Sequence, residues 1–349
     1  MYLLTRMKAL YFEKPGMDNL KYGDVRVPEL KDTDVMLETK CLGVNPIDYF
    51  TITGIHGANG PSMHIEPYPH IAGSEISGIV KRKGERVKNG IREGDRVIVY
   101  NRIFDGSCRF CKKGYEMLCD NGGLVGVKTN GGFAEYVNVP SSNLIKIPDG
   151  ISWELAASLP TAALTAYNAV KESKLKSSET MVVFGGSGNT GIFCVQLGNL
   201  WGGRVVAVSK KPWLKEYGAA EVLEYNGNLK ETVKDITEGQ MADVVINSLG
   251  EKAWRQGMEV AGKMGRIITF GVLSGGNLQV DGRFLYNNQV TIKGTTGGTM
   301  KDMLELVEIV KGHNLNVKIW QRYPLEHSKK AVESIFDSNR DGRILITNT

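Results

Sequence analysis

Met181-Val182-Val183-Phe184-Gly185-Gly186-Ser187-Gly188-Asn189-Thr190-Gly191 is the stretch on which the fold turns. Its first four residues are apolar, β-branched or aromatic, and read as a buried strand. They run into a G-x-G-x-x-G turn over residues 186–191. Beyond it Phe193, Leu197, Leu200 and Trp201 recur at i, i+4, i+7 and i+8, one face of a helix. A second apolar run follows at 204–208. Strand, glycine turn, helix and strand together give the glycines their meaning. Glycine lets the backbone turn sharply and approach a ligand closely. The helix N-terminus offers N–H groups and partial positive charge, which suits the pyrophosphate of a dinucleotide.

Working outward, strands read at 221–225, 243–247, 266–270 and 290–293. Strands alternating with helices imply a parallel sheet covered on both faces. Upstream the pattern differs. Short strands at 35–39, 78–80, 96–99, 133–139 and 143–147 are broken by turns, and a strand-like run opens at Met7. Pro148-Asp149-Gly150 is a turn, and Ser152 is placed to cap a helix that begins Trp153-Glu154. The tail from Met300 reads as a helix, a strand at 317–319, a helix at 328–335 and a last strand at 344–346. Residues 54–69 read as a loop over a site, and 106–123 as an irregular lobe holding three cysteines.

Composition narrows the class. The chain has 349 residues, enough for two domains, with 42% hydrophobic and 23% charged residues. That excludes global disorder and a disulfide scaffold. The net charge of +5 is spread along the chain and suits small anionic ligands better than nucleic acid. The longest apolar run, 155–170, is interrupted by Ser158, Pro160, Thr161 and Asn168, so no membrane span is expected. Five cysteines and no leader-like start point to the cytoplasm, with residues 1–6 a short extension or a start-codon artefact.

Two local patterns carry chemistry. The strand at 204–208 ends in Ser209-Lys210-Lys211, where an NAD site would place a carboxylate for the ribose 2′-hydroxyl. A hydroxyl and two ammonium groups suit a 2′-phosphate instead. The expected cofactor is therefore NADP(H), with Ser209 and Lys210 as phosphate ligands. Asp105, Cys108, Cys111 and Cys119 form D-x2-C-x2-C-x7-C. Four such ligands suit tetrahedral Zn²⁺ in a closed, structural site, one ion per chain. Cys41 and Cys194 read as core residues.

Together with Gly43-Val44-Asn45-Pro46-Ile47-Asp48, Pro69-His70-Ile71-Ala72-Gly73-Ser74-Glu75, Gly94-Asp95-Arg96-Val97, Gly131-Gly132-Phe133-Ala134-Glu135-Tyr136, Leu164-Thr165-Ala166-Tyr167 and the closing Gly342-Arg343-Ile344, these pieces resemble the medium-chain dehydrogenase/reductase superfamily over nearly the whole chain. The resemblance implies an α/β protein: a GroES-like β-rich catalytic domain, residues 1–152 and 296–349, and a Rossmann domain with a doubly wound parallel sheet, residues 153–295. It implies a homodimer or homotetramer, with 287–294 as a pairing edge. The three ligands of the catalytic zinc in alcohol dehydrogenases would fall at Asn45, Ser74 and Thr161, none of them a zinc ligand type; only Glu75 of that shell remains.

That pattern is similar to the zinc-free quinone and enone reductases. It implies Asn45 beside the nicotinamide, Asp48 supporting its loop, and Tyr49 and His56 as proton-donor candidates. Cofactor contacts are implied at Thr165, Gly186, Ser187, Gly188, Asn189, Thr190, Tyr225, Asn247, Phe270, Val272 and Arg343. The expected activity is NADPH-dependent reduction of a small quinone or α,β-unsaturated carbonyl. The rival readings are an alcohol dehydrogenase with an atypical metal site and a non-catalytic NADPH-binding protein.

Overall fold

The computed structural model describes residues 5–348. These divide into two compact units. The first comprises residues up to His56, Ser62–Thr161 and the tail from Thr299; the second comprises Gly57–Pro61 and Ala162–Gly298.

In the second unit the strand Thr180–Phe184 is buried throughout, as its unbroken apolar run requires. It pairs in parallel with Arg204–Val208 on one side and Ala242–Asn247 on the other. The full order is Glu221–Leu223, Arg204–Val208, Thr180–Phe184, Ala242–Asn247, Ala261–Thr269, Thr291–Gly294, all parallel. Three strands are wound one way from the centre and three the other, the Rossmann order. Val182, Phe184, Val206, Val245, Trp254 and Ile267 pack the core. The glycine turn therefore lies at the carboxyl end of the central strand, where the winding reverses. Doubly wound sheets bind ligands there.

In the first unit the strand Asp34–Gly43 is central. It pairs antiparallel with Glu75–Lys83, Tyr136–Pro140 and Arg343–Thr347. Leu37, Leu42, Ile76, Val97, Phe133 and Ile344 are fully buried. The Met7 run is the strand Arg6–Tyr11, and its partner is Lys21–Arg26, a strand too exposed to show alternation. Ser152 caps the helix Trp153–Ala157 by accepting the Leu155 N–H at 3.2 Å. That helix packs on Asp34–Gly43 and Glu75–Lys83, so the chain leaves the first unit after Thr161, not at 152. It returns at Thr299, not 296. The tail strand runs Ile319–Pro324, later than the 317–319 expected. The last helix is Ser328–Glu333, closed by a 3₁₀ turn at Ser334–Phe336. Residues 57–61 pack with the second unit: a Cβ on Gly57, whose φ is +79°, would lie 2.8 Å from the Val272 carbonyl. Among the described residues no helix is long and apolar enough to cross a membrane.

Candidate active site and metal lobe

The glycine turn is shaped by backbone contact. Gly185 has φ +75°, a left-handed conformation that glycine adopts without strain. A Cβ on Gly191 would sit 2.0 Å from the Gly185 carbonyl oxygen, so the first residue of the helix Gly191–Leu200 has no space for a side chain. Gly186 passes the next strand closely, with its Cβ position 3.0 Å from Ala207 Cβ. These contacts keep backbone at the helix N-terminus open to a phosphate group.

Sequence-distant residues meet this turn. The Ser209 hydroxyl donates to Ser187 Oγ at 2.9 Å and accepts the Lys211 N–H at 3.2 Å. Lys210 beside it is exposed. Tyr225 donates its hydroxyl to the Lys252 carbonyl, with its ring edge-on to Phe184. Asn247 is buried and closes its own turn: Oδ1 accepts the N–H groups of Leu249 and Gly250, and Nδ2 donates to the Gly250 carbonyl. Thr165, Phe270 and Val272 are half-buried in the same unit.

In the first unit Asn45 is the N-cap of the helix Pro46–Thr53. Asp48 at the third helical position reaches back, accepting the Asn45 N–H on Oδ2 at 2.8 Å and the Ser74 N–H on Oδ1 at 3.0 Å. One carboxylate thus ties the helix start to the loop before Glu75. Burial pushes the Asp48 pKa up to about 7, against the pull of those two N–H groups. Asp48 ordinarily titrates near 4, so the native protein holds this proton more tightly than the unfolded chain. Its contribution to stability is therefore full below pH 4 and falls as pH rises to about 7. Asp48→Ala is expected to remove that slope. It also orphans two buried N–H groups, at a cost of about 2–4 kcal/mol. Urea unfolding of both proteins across pH 4–8 checks both effects.

Glu75 is fully buried and paired with buried Arg343 on the closing strand. Its other oxygen, Oε1, accepts the Thr161 N–H at 3.1 Å. Thr161 lies in the π-helical turn Leu159–Ala163. Asn101, which the sequence reading passed over, is 2% exposed and donates from Nδ2 to Thr161 Oγ1 at 2.7 Å. Asn45, Asp48, Ser74, Glu75, Thr161, Asn101 and Arg343 thus belong to one neighbourhood of the first unit.

Tyr49 and His56 stand differently. The Tyr49 ring packs edge-on to Phe336 and Phe50, and exposed His56 packs on Phe50. Neither shares a hydrogen bond with the Asp48 or Glu75 groups among the described residues. All cofactor candidates lie in the second unit except Arg343. Arg343 Nε and Nη1 have no partner among the described residues.

The four lobe residues converge. One ligand atom from each of Asp105, Cys108, Cys111 and Cys119 lies within 4.8 Å of the others, the only such group among the described residues. Asp105 Oδ1 accepts the N–H groups of Ser107 and Cys108, and Oδ2 accepts Asn121 Nδ2 at 2.7 Å. These donors hold its carboxyl well below the usual range. The N–H groups of Cys111 and Asp120 lower Cys108 to about 7, while burial beside the other sulfurs raises Cys111 to about 12. Three sulfurs and a carboxylate fit tetrahedral zinc. Asn45, Ser74 and Thr161 do not: an amide and two hydroxyls compete poorly for zinc. Glu75 is committed to Arg343 and Thr161.

The alcohol dehydrogenase GroES-like domain family matches residues 31–149, and the zinc-binding dehydrogenase family matches residues 190–312. A thermostable alcohol dehydrogenase from Pyrobaculum aerophilum superimposes with a TM-score of 0.89 at 34% identity, covering 98% of this chain and 99% of that one. The NAD-dependent alcohol dehydrogenase of Sulfolobus acidocaldarius is 28% identical over 98% of this chain and 100% of its own. The NADP(+)-dependent D-arabinose 1-dehydrogenase of Saccharolobus solfataricus is 26% identical over 99% of this chain and 98% of its own.

Proposed function

Since the chain belongs to the alcohol dehydrogenase (medium-chain dehydrogenase/reductase) superfamily and is an NAD(P)-dependent oxidoreductase of it, we propose that it reduces quinones or α,β-unsaturated carbonyls with NADPH, without zinc at the reacting oxygen. The observation that carries this reading is the donor set Asn45, Ser74 and Thr161, with Glu75 held by Arg343. A bound reduced nicotinamide supplies hydride. In a conjugated acceptor the charge moves to the carbonyl oxygen as an enolate, which hydrogen-bond donors stabilise. An isolated ketone gains more from a Lewis acid.

The chain's own residues divide the work. Asn45, held by Asp48, presents its amide beside the nicotinamide. Ser187, Ser209 and Lys210 bind the 2′-phosphate, and the glycine turn receives the pyrophosphate. Asp105, Cys108, Cys111 and Cys119 hold one structural zinc, which staples the lobe. Tyr49 and His56 are less suited to proton delivery than solvent, given their packing on Phe50 and Phe336.

The second reading is an NAD(P)-dependent alcohol dehydrogenase, favoured by the activities for which the similar proteins are named. Metal analysis with turnover separates the two. The first reading expects about one zinc per chain and NADPH oxidation by enones and quinones faster than by simple ketones. About two zinc ions with rapid oxidation of secondary alcohols establishes the second.

A further inference from the structure

We propose that the Thr161 hydroxyl donates the hydrogen bond that carries charge on the acceptor's oxygen during hydride transfer, and that Asn101 is the positioning residue that turns it to do so. The inference rests on the metal-free reading above. It begins with the chemistry of the Asn101–Thr161 contact. An amide N–H can only donate, so Asn101 Nδ2, 2.7 Å from Thr161 Oγ1, makes that oxygen the acceptor. A hydroxyl carries one proton, and here it is left to point elsewhere. Among the described residues no group accepts it. Accepting one hydrogen bond also strengthens a hydroxyl as a donor.

The surroundings fix Thr161 in place while leaving the residue half-buried. Pro160 has no N–H, and the π turn takes the Thr161 N–H out of the regular helix ladder. That N–H is spent on Glu75 Oε1, and Glu75 is clamped by Arg343. Asn101 is itself buried, and its backbone carbonyl accepts the Val125 N–H at 2.9 Å. Thr161 is half-buried, whereas Ser74 is fully buried, its Oγ making no hydrogen bond of ordinary geometry among the described residues. Of the two hydroxyls, Thr161 is the one a substrate oxygen can reach. A donor held before the reaction begins needs no reorganisation as charge develops.

The step balances simply. Hydride forms a C–H bond at the acceptor's β-carbon. The C=C pair shifts toward the carbonyl, and the C=O pair moves onto oxygen. The nicotinamide leaves oxidised by two electrons, and the acceptor is reduced by two. Thr161 hydrogen-bonds to the enolate oxygen and keeps its proton; water delivers the proton that completes the α-carbon.

The test uses Thr161→Val, Thr161→Ser and Asn101→Ala in the full chain. With an enone and saturating NADPH, Thr161→Val is expected to lower kcat about 10²- to 10³-fold. Thr161→Ser should stay within about fivefold of the parent, because it keeps the O–H. Asn101→Ala should fall between them, and NADPH affinity by fluorescence titration should be unchanged in all three. A second readout needs no turnover: 4-nitrophenol bound to the NADP⁺ complex ionises at lower pH when a donor faces its oxygen. Its absorbance titration should move up by about one pH unit or more in Thr161→Val, as loss of a charge-assisted bond requires. Parental kcat in a folded Thr161→Val, or a nitrophenol titration that ignores Thr161, overturns the assignment, and so does failure of nitrophenolate to bind. A parent enzyme that reduces no enone or quinone, yet shows the Thr161-dependent titration, refutes only the substrate reading.

Discussion

Glu75→Gln is expected to destabilise the protein by about 3–5 kcal/mol, the cost of leaving a buried charge without its counter-ion. Glu75 and Arg343 are 0% and 1% exposed at their side chains and lie 268 residues apart in sequence. The amide keeps the shape of the carboxylate, so packing is nearly constant and the electrostatic loss dominates. Arg343→Met should cost a similar amount, because the carboxylate then stands alone. The double variant is expected to recover much of that loss, since two neutral side chains leave no isolated charge. A double-mutant cycle by urea unfolding reads the coupling directly. Additive losses would mean that the two side chains matter for shape alone. Gly43→Ala is an independent probe of the same pair. Its Cβ would fall 1.9 Å from Glu75 Oε2 and also clash with Arg343 Nη2, while its φ lies outside the left-handed region.

This pair also marks what the sequence could and could not disclose. The glycine turn was legible because strand, turn and helix are contiguous, and each obeys a local rule. The same holds for the cysteine lobe, whose ligands span 15 residues from Asp105 to Cys119. The helix Pro46–Thr53 was not legible. It is eight residues long, and in the sequence Asn45 and Asp48 suggest a group beside the nicotinamide and the support of its loop, with no sign that they cap a helix. Asn101 was missed because nothing near it in sequence announces Thr161, 60 residues on. The Gly57–Pro61 segment reads as a loop, yet in the fold it groups with the second unit, where Gly57 closely approaches Val272. Local patterns thus revealed elements and ligand runs. The pairings that create electrostatics in the site are long-range, and only the fold supplies them.

The largest functional effect is expected from Ser209→Asp, which should lower the preference for NADPH over NADH by about 10²- to 10⁵-fold. Ser209 sits at the carboxyl end of the strand Arg204–Val208, where its hydroxyl meets Ser187 and the Lys211 N–H. A 2′-phosphate bound there gains a charge-assisted hydrogen bond, worth about 1.5–3 kcal/mol. Aspartate removes that bond and places a like charge beside the phosphate, costing about 1–4 kcal/mol more at ~4 Å. At about 1.4 kcal/mol per decade the sum spans about two to five decades. The same carboxylate accepts the 2′-hydroxyl of NADH, so the loss with one coenzyme is joined by a gain with the other. Lys210→Ala separates charge from hydroxyl chemistry. Lys210 is exposed, so its loss should weaken NADPH by about tenfold or less, with little change for NADH. Fluorescence titration with both coenzymes gives the ratios without dependence on the substrate. If the parent already prefers NADH and Ser209→Asp leaves the ratio unmoved, the phosphate assignment of Ser209 and Lys210 fails. The dinucleotide fold and the Thr161 assignment do not depend on it.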